Sequence, residues 1–271
     1  MGVLTWNLFH GRDFPPEREL LTWRSRLLRI TELGERYAQV NRSLLDEFAG
    51  WIARAPWEVA LLQEAPPRWQ RALADRAAAS AAIALTSRNE LPRLRRLAAE
   101  LNPDLLASAE GGANQTLVRS PARFDDVRRL TLAGRPERRR MLWTRIEIPG
   151  GRRLTAANLH ATAGNVQVAS AEVERAAAQA VEWAAGDPLV FGGDLNVRPF
   201  QNPGLYELLA ERFGLERPTG PRTLDHLLVR GLELVEPPRK LPAEERDVDG
   251  PHGRRLRLSD HAPVLAAFGL R

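Results

Sequence analysis

The hydrophobic pattern is clearest at Pro188-Leu189-Val190-Phe191-Gly192-Gly193-Asp194-Leu195-Asn196. A short apolar run rich in branched and aromatic residues predicts a strand buried on both faces. If the extended backbone continued past the glycines, Asp194 and Asn196 would project to one side, because side chains two apart share a face. The same reading predicts a first strand over Val3–Phe9, with Val3, Thr5 and Asn7 on one side, and another buried strand over Trp57–Gln63. Strands are also expected over Ile83–Thr86, Asn114–Arg119, Phe124–Leu132, Met141–Ile148, Arg153–His160, Thr223–Val229 and Ala262–Phe268. Gly150-Gly151 between two of these runs predicts a hairpin. Helical spacing marks Asn41–Arg54, Arg68–Ala82, a basic amphipathic stretch over Leu91–Leu101, Ala169–Ala185 and Leu205–Phe213. Asp13–Arg36, opening on Pro15-Pro16, reads as a loop followed by helix. Strand–helix–strand units mixed with hairpins predict an α/β sandwich.

Polar residues of catalytic type fall at the ends of these strands: Asn7, Glu64, His160, Asp194 with Asn196, Asp225, and Asp260-His261. Strand-end rims are where α/β folds bind ligands. Each residue alone has a structural explanation. Asn7 could be a satisfied amide, Glu64 a helix cap, His160 a hydrogen-bonded core histidine, Asp225 a partner of Arg222, and Asp260 a turn acid. Their coincidence at separate strand ends is what points to chemistry. Glu64, Asp194, Asp225 and Asp260 are hard oxygen donors suited to magnesium or manganese. His160 and His261 can donate hydrogen bonds to a phosphoryl group or exchange protons. Asn7 and Asn196 can bind phosphate oxygens, or orient an acid or water, without adding charge. Together they are suited to metal-assisted attack of water on a phosphodiester.

Composition narrows this further. The 271 residues are 44% hydrophobic, enough for one large core, and no low-complexity linker divides the chain, so a single domain over 1–271 is expected. There is no cysteine, which excludes disulfides, thiolate metal sites and cysteine nucleophiles. No apolar run approaches a membrane span and no signal peptide is evident, so a cytoplasmic protein is expected. The net charge is +5, which suits a polyanionic partner such as DNA or RNA. Lys240 is the single lysine, however, and so arginine-dominated a composition also has the look of a genome-wide bias.

The elements Thr5-Trp6-Asn7, Leu62-Gln63-Glu64, Asn158-Leu159-His160-Ala161, Gly192-Gly193-Asp194-Leu195-Asn196, Leu224-Asp225-His226 and Ser259-Asp260-His261-Ala262-Pro263-Val264 resemble, in this order, the endonuclease/exonuclease/phosphatase superfamily. The resemblance implies a four-layer α/β sandwich, two packed mixed β-sheets flanked by helices. It implies a Mg2+- or Mn2+-dependent phosphoesterase, a nuclease in the first instance. The alternatives are a phospholipid or phosphoinositide phosphoesterase and a non-catalytic anion-binding homologue. By the same resemblance Glu64 is the principal metal ligand, with Asn7 beside it and Asp260 sharing the ion. Asp194 orients or deprotonates water, Asn196 and His160 (with Asn7) hold the substrate phosphate, and His261 stabilises the transition state. Asp225 supports one of the histidines, His160 being the first choice.

About 56 residues separate Asn7 from Glu64, longer than a compact nuclease needs, which predicts an insertion around 10–50 that covers part of the site. His160 stands where abasic-site endonucleases carry tyrosine, which argues against that repair role. The glycines before Asp194 are expected to let the backbone approach the scissile phosphate.

Overall fold

The computed structural model describes all residues except 88–91, 135–136, 217–218 and 271, and the side chains of 92–96 and 108–110 are likewise outside the description. Two sheets face one another. The first contains β1 (Gly2–Asn7), β2 (Val59–Ala65), β3 (Ala79–Leu85), β4 (Ala113–Arg119), β10 (Leu232–Lys240) and β11 (Val264–Leu270), in the order β10-β11-β1-β2-β4-β3. The second contains β5 (Arg123–Ala133), β6 (Arg139–Ile148), β7 (Arg152–His160), β8 (Leu189–Asp194) and β9 (Asp225–Arg230), in the order β9-β8-β7-β6-β5. Each sheet is antiparallel except for one parallel pair at its centre, β1 with β2 and β7 with β8.

Alternation along β1 explains the layering. Val3 packs between the sheets with Leu61, Val190 and Leu227. Leu4, Trp6 and Leu8 point the other way, onto Phe48, Ile52, Trp69 and Leu73 of α2 (Leu45–Arg54), α3 (Gln70–Arg76) and the turn between β2 and α3. The outer face of the second sheet is covered by α6 (Val166–Ala184) and α7 (Pro203–Phe213). The alanines Ala169, Ala176, Ala177 and Ala180 let α6 lie close against Trp143, Leu159 and Phe191. Central strands buried on both faces account for their near-continuous apolar sequence. The result is the expected four-layer sandwich.

The sheets are also joined by buried amides. Asn158 on β7 donates to the carbonyls of Leu62 (3.1 Å) and Gln115 (2.9 Å), and accepts from Gln63 Nε2 at 2.8 Å. Gln63 in turn pairs with Thr5. These groups are inaccessible to water, where an unmatched amide is costly, so the pairing sets how one sheet sits on the other.

Several expectations need correction. The alanine-rich run expected as helix to Ala82 turns into strand: α3 stops at Arg76, Ala78 takes φ 50°, and β3 begins at Ala79. Between Asp13 and Arg36 there is only one six-residue α-helix, α1 (Trp23–Leu28), with a two-stranded ribbon of Glu32–Leu33 and Ala38–Gln39 after it. The basic stretch forms α4 (Pro92–Leu101), with Leu91 outside the described residues, and α5 (Pro103–Glu110) follows. Strand β10 was not foreseen. The strand at Gly192-Gly193 ends on Asp194, and Asn196 is reached through a left-handed turn (φ 51°) rather than continued extension.

The glycines before Asp194 have a steric role within the sheet. A Cβ on Gly193 (φ +124°) would lie 2.0 Å from the Leu159 carbonyl oxygen, and one on Gly192 would lie 2.4 Å from that of His226. They let β8 fit between β7 and β9. The register that results pairs Asp194 with His160 on one side and Asp225 on the other. Gly193→Ala is therefore expected to lower folding free energy by about 3 kcal/mol or more. A urea denaturation midpoint equal to that of the unmodified protein would contradict this.

His226 gives a second expectation. Its Nδ1 accepts from the Thr219 amide (3.1 Å), so Nε2 carries the proton toward the Thr223 carbonyl oxygen (3.0 Å). Burial lowers its pKa to about 4, against partial opposition from Asp225. Below the ordinary histidine value the unfolded chain takes up a proton that the folded one refuses. Stability should thus be complete above pH 6.5 and fall by ~3 kcal/mol as pH drops to about 4. In His226→Gln the stability-against-pH curve should be flatter over that interval. A curve parallel to wild type would refute the assignment.

Candidate active site

Five strand ends meet at one rim. Asn7, His160 and Asp194 are the last residues of β1, β7 and β8, Glu64 is the last but one of β2, and Asp225 opens the antiparallel β9. Glu64 sits at an irregularity in the β2–β4 pairing and has φ 46°, a bulge that re-aims its side chain. The loop before β11 supplies Asp260 and His261. Ser259 anchors it, donating to the Asn7 carbonyl oxygen at 2.7 Å and accepting from the His261 amide at 3.0 Å. The Trp6 indole holds the His261 carbonyl oxygen at 2.9 Å.

Asp194 is at the centre. Its Oδ2 accepts from Asn7 Nδ2 at 3.0 Å and its Oδ1 from the Asn196 amide at 3.2 Å. The Nε2 atoms of His160 and His261 lie 3.6 and 3.8 Å from the same Oδ2. Burial and the neighbouring Asp225 charge push the Asp194 carboxyl up, with His261 and Asn7 opposing. Asn196 turns its Nδ2 to the Ala161 carbonyl oxygen at 3.0 Å, leaving one amide N–H unused.

Asp225 supports His261, not His160. Its Oδ2 lies 2.8 Å from His261 Nδ1. The reason is register: Asp225 stands beside Asp194 on the far side from His160, within reach of the loop that carries His261. Burial alone would deprotonate His261. The charge and hydrogen bond of Asp225, with Asp194 and Asp260, outweigh it and raise its pKa, so the ring is an imidazolium. His160 is the opposite case. Burial drops it to about 3, only partly opposed by Glu64. Arg139 NH1 sits 3.4 Å from its Nδ1, making Nδ1 the acceptor and leaving the proton on Nε2, toward Asp194 and toward Glu64 Oε1 at 3.7 Å.

Two site residues carried no signal in the pattern. His10, in the turn after β1, places Nε2 3.2 Å from Glu64 Oε2. It takes φ 54° inside that turn and does not itself end the strand, so only its closeness to Asn7 in sequence could have drawn attention. Arg139 was visible only as one member of an arginine run. Burial keeps His10, like His160, below the usual histidine value, so both rings are neutral; His10 Nε2 is within hydrogen-bond distance of Glu64, and His160 Nε2 stands 3.7 Å from it. Burial disfavours the Glu64 charge, yet His10, His160 and Asn7 more than compensate, and the carboxylate stays ionised.

The acidic rim bears on a metal. Glu64, Asp194, Asp225 and Asp260 crowd one end of the sandwich, and a phosphoester brings further negative charge. Asp260 is exposed at the mouth, and its carboxyl is held above the usual value by partial loss of water and by Glu64, against His261. Glu64 and Asp260 carry hard oxygen donors of the kind Mg2+ or Mn2+ takes, and Asn7 Oδ1 keeps one lone pair after accepting from Phe9 N (3.0 Å). Asp194, Asp225 and His261 also approach one another closely enough to share an ion. Within that group Asp225 and His261 are already joined by a 2.8 Å hydrogen bond.

The sequence profile of the endonuclease/exonuclease/phosphatase family matches residues 4–261, and the chain belongs to this family. Members are typically phosphoester hydrolases that commonly use a divalent metal. No curated protein matches the chain. Among solved structures it is similar to a functionally unknown conserved protein from Enterococcus faecalis (15% identity, all of both chains covered, TM-score 0.67). It is similar also to a mannosyl-6-phosphatase from Bacteroides thetaiotaomicron (12% identity, 99% of each chain, TM-score 0.64). The human Nocturnin catalytic domain with bound sulfate is a third (16% identity, 100% of this chain and 94% of that one, TM-score 0.58). At such identities the likeness is one of fold.

Asp225→Asn should leave the fold intact but remove the charge that keeps His261 protonated and oriented. A fall in kcat of about 10²–10⁴-fold is expected on any phosphoester the protein turns over. A kcat within twofold of wild type would show that the pair is structural.

Proposed function

We propose that the protein is a divalent-metal-dependent phosphodiesterase that hydrolyses its substrate by direct attack of water. The observation that carries this is Asp194, a buried carboxylate pointed by Asn7 and the Asn196 amide at a space that His160 and His261 also face. Buried like charges are costly, and their concentration at one rim supports a catalytic reading over an idle anion-binding one.

The residues divide the work. Asp194 orients the attacking water and takes its proton as the new P–O bond forms. The His261 imidazolium, held by Asp225, faces the charge that develops on phosphorus and gives its proton to the departing oxygen as the ester bond breaks. His160 Nε2–H and the free N–H of Asn196 hold non-bridging phosphate oxygens. Glu64 with Asp260 and Asn7 would hold Mg2+ or Mn2+, which supplies neutralisation of the phosphate charge and a Lewis acid.

Nucleic acid is the first substrate class, on the strength of the +5 net charge. A lipid phosphodiester is the second, favoured by the exposed Trp23, Leu27 and Leu28 of α1. Absence of cysteine suits a cytoplasmic setting, and among the described residues no helix is long and apolar enough to cross a membrane.

The test is a substrate panel with added magnesium or manganese: bis-p-nitrophenyl phosphate, plasmid DNA, RNA, phospholipid vesicles and phosphate monoesters. Metal-dependent turnover of diesters is expected, reduced about 10³-fold or more in Asp194→Ala and in His261→Ala. Turnover indifferent to both substitutions, or to chelation, would overturn the proposal.

A further inference from the structure

Helix α1 is inside out. Its one buried residue is Ser25, while Trp23, Leu27 and Leu28 stand 64%, 57% and 58% exposed. A surface helix ordinarily does the reverse. The cause lies beneath it. Ser25 Oγ bonds Gln39 and lies 3.4 Å from Asp104, while Asn41 Nδ2 donates to the Ser25 carbonyl oxygen (2.9 Å). A buried polar cluster thus fixes the polar side inward and leaves the apolar side to solvent.

The exposure continues beyond α1. Leu21 and Leu33 flank it, at 42% and 48% exposed. Asn102, at the α4–α5 junction, donates to the Arg26 carbonyl oxygen at 2.7 Å, which places the exposed Leu101 and Leu105 next to α1. Of eleven exposed large apolar side chains among the described residues, eight belong to the 21–33 segment or to α4 and α5. Scattered exposed leucines need no account, but a concentration of this kind does. Arginines are interleaved with it. Arg24, Arg26 and Arg29 are exposed and form no ion pair among the described residues, and residues 18–29 hold four arginines against one acid.

We propose that this face docks on an anionic phospholipid bilayer. Trp and Leu side chains among arginines suit the headgroup–acyl boundary, where apolar groups enter the hydrocarbon and guanidiniums meet lipid phosphates. A second copy of the chain fits less well, since a two-fold contact would bring arginines against arginines. Nucleic acid fits less well too, because aliphatic leucines give bases no stacking platform. The face borders the catalytic rim. A cavity of about 170 Å³ lined by Leu21, Thr22, Ser25, Phe9 and Arg12 lies between them. Arg12 is near enough to Glu64 and Asp260 for their charges to bear on its own. Docking would bring the active-site mouth to the membrane surface. Vesicle binding is read without turnover, so its failure is separate from failure of the phosphodiesterase reading.

Trp23 supplies the readout, being the one exposed tryptophan among the described residues. Fluorescence is recorded with phosphatidylcholine vesicles, with and without phosphatidylserine, at low and high salt. Expected are a blue shift and quenching by brominated acyl chains, stronger with phosphatidylserine and weakened by salt. Trp23→Ala, followed by co-sedimentation, should lower vesicle affinity by about tenfold or more with Tm unchanged. Leu27→Ala/Leu28→Ala should do the same and keeps the fluorescent reporter. The proposal is overturned by any of three results: no association at low salt, association indifferent to these substitutions, or a dimer or oligonucleotide complex that the substitutions dissolve in its place.

Discussion

Buried amides between the sheets are the constraint on which the site depends. Glu64 and Asn7 belong to one sheet, and His160, Asp194 and Asp225 to the other. Neither half is a site alone. Asn158, two residues before His160, is bonded to Gln63, next to Glu64, and to the Leu62 carbonyl oxygen. Hydrophobic packing between Val3, Leu61, Val190 and Leu227 brings the sheets together but is indifferent to a small slide. Directional hydrogen bonds in a water-free layer are not. They convert an approximate sandwich into one in which Asn7 Nδ2 reaches Asp194 at 3.0 Å.

Within that frame the electrostatics separate the residues by environment. His160 and His261 are the same side chain a few ångströms from the same Asp194 oxygen. One has an arginine on its far nitrogen and is neutral. The other has Asp225 there and is charged. A neutral donor and a cationic one on two sides of a carboxylate is the arrangement expected where water must be deprotonated and a leaving group protonated.

Much of this was legible in the sequence, for a physical reason. Strands buried on both faces read as apolar runs, and the polar residue ending each run stands out against them. Asn7, His160, Asp194 and Asp225 were found that way. What depended on contact across the fold was not legible. The partner of Asp225 follows from β8–β9 register. The need for Gly193 follows from the Leu159 carbonyl beside it. His10 belongs to a turn and has no periodicity to betray it. The run into β3 is rich in alanine, which by propensity favours helix, until Ala78 breaks it at φ 50° and pairing with β4 makes it strand. Edge strand β10 carries Pro237, Pro238 and the charged Glu233, Glu236, Arg239 and Lys240, features that keep an edge from pairing further and also hide it from pattern reading. The loop-then-helix pattern of Asp13–Arg36 carries no sign of the inverted α1, because that inversion depends on Gln39 and Asp104 beneath it.

The central claim is that metal and proton handling occupy different sides of Asp194, with Glu64 holding the ion and Asp225–His261 moving the proton. Mn2+ binding followed by electron paramagnetic resonance, without substrate, tests it most directly. Glu64→Gln should abolish binding and Asp225→Asn should leave it near wild type. Binding lost in Asp225→Asn but retained in Glu64→Gln would place the ion among Asp194, Asp225 and His261, and would contradict the account.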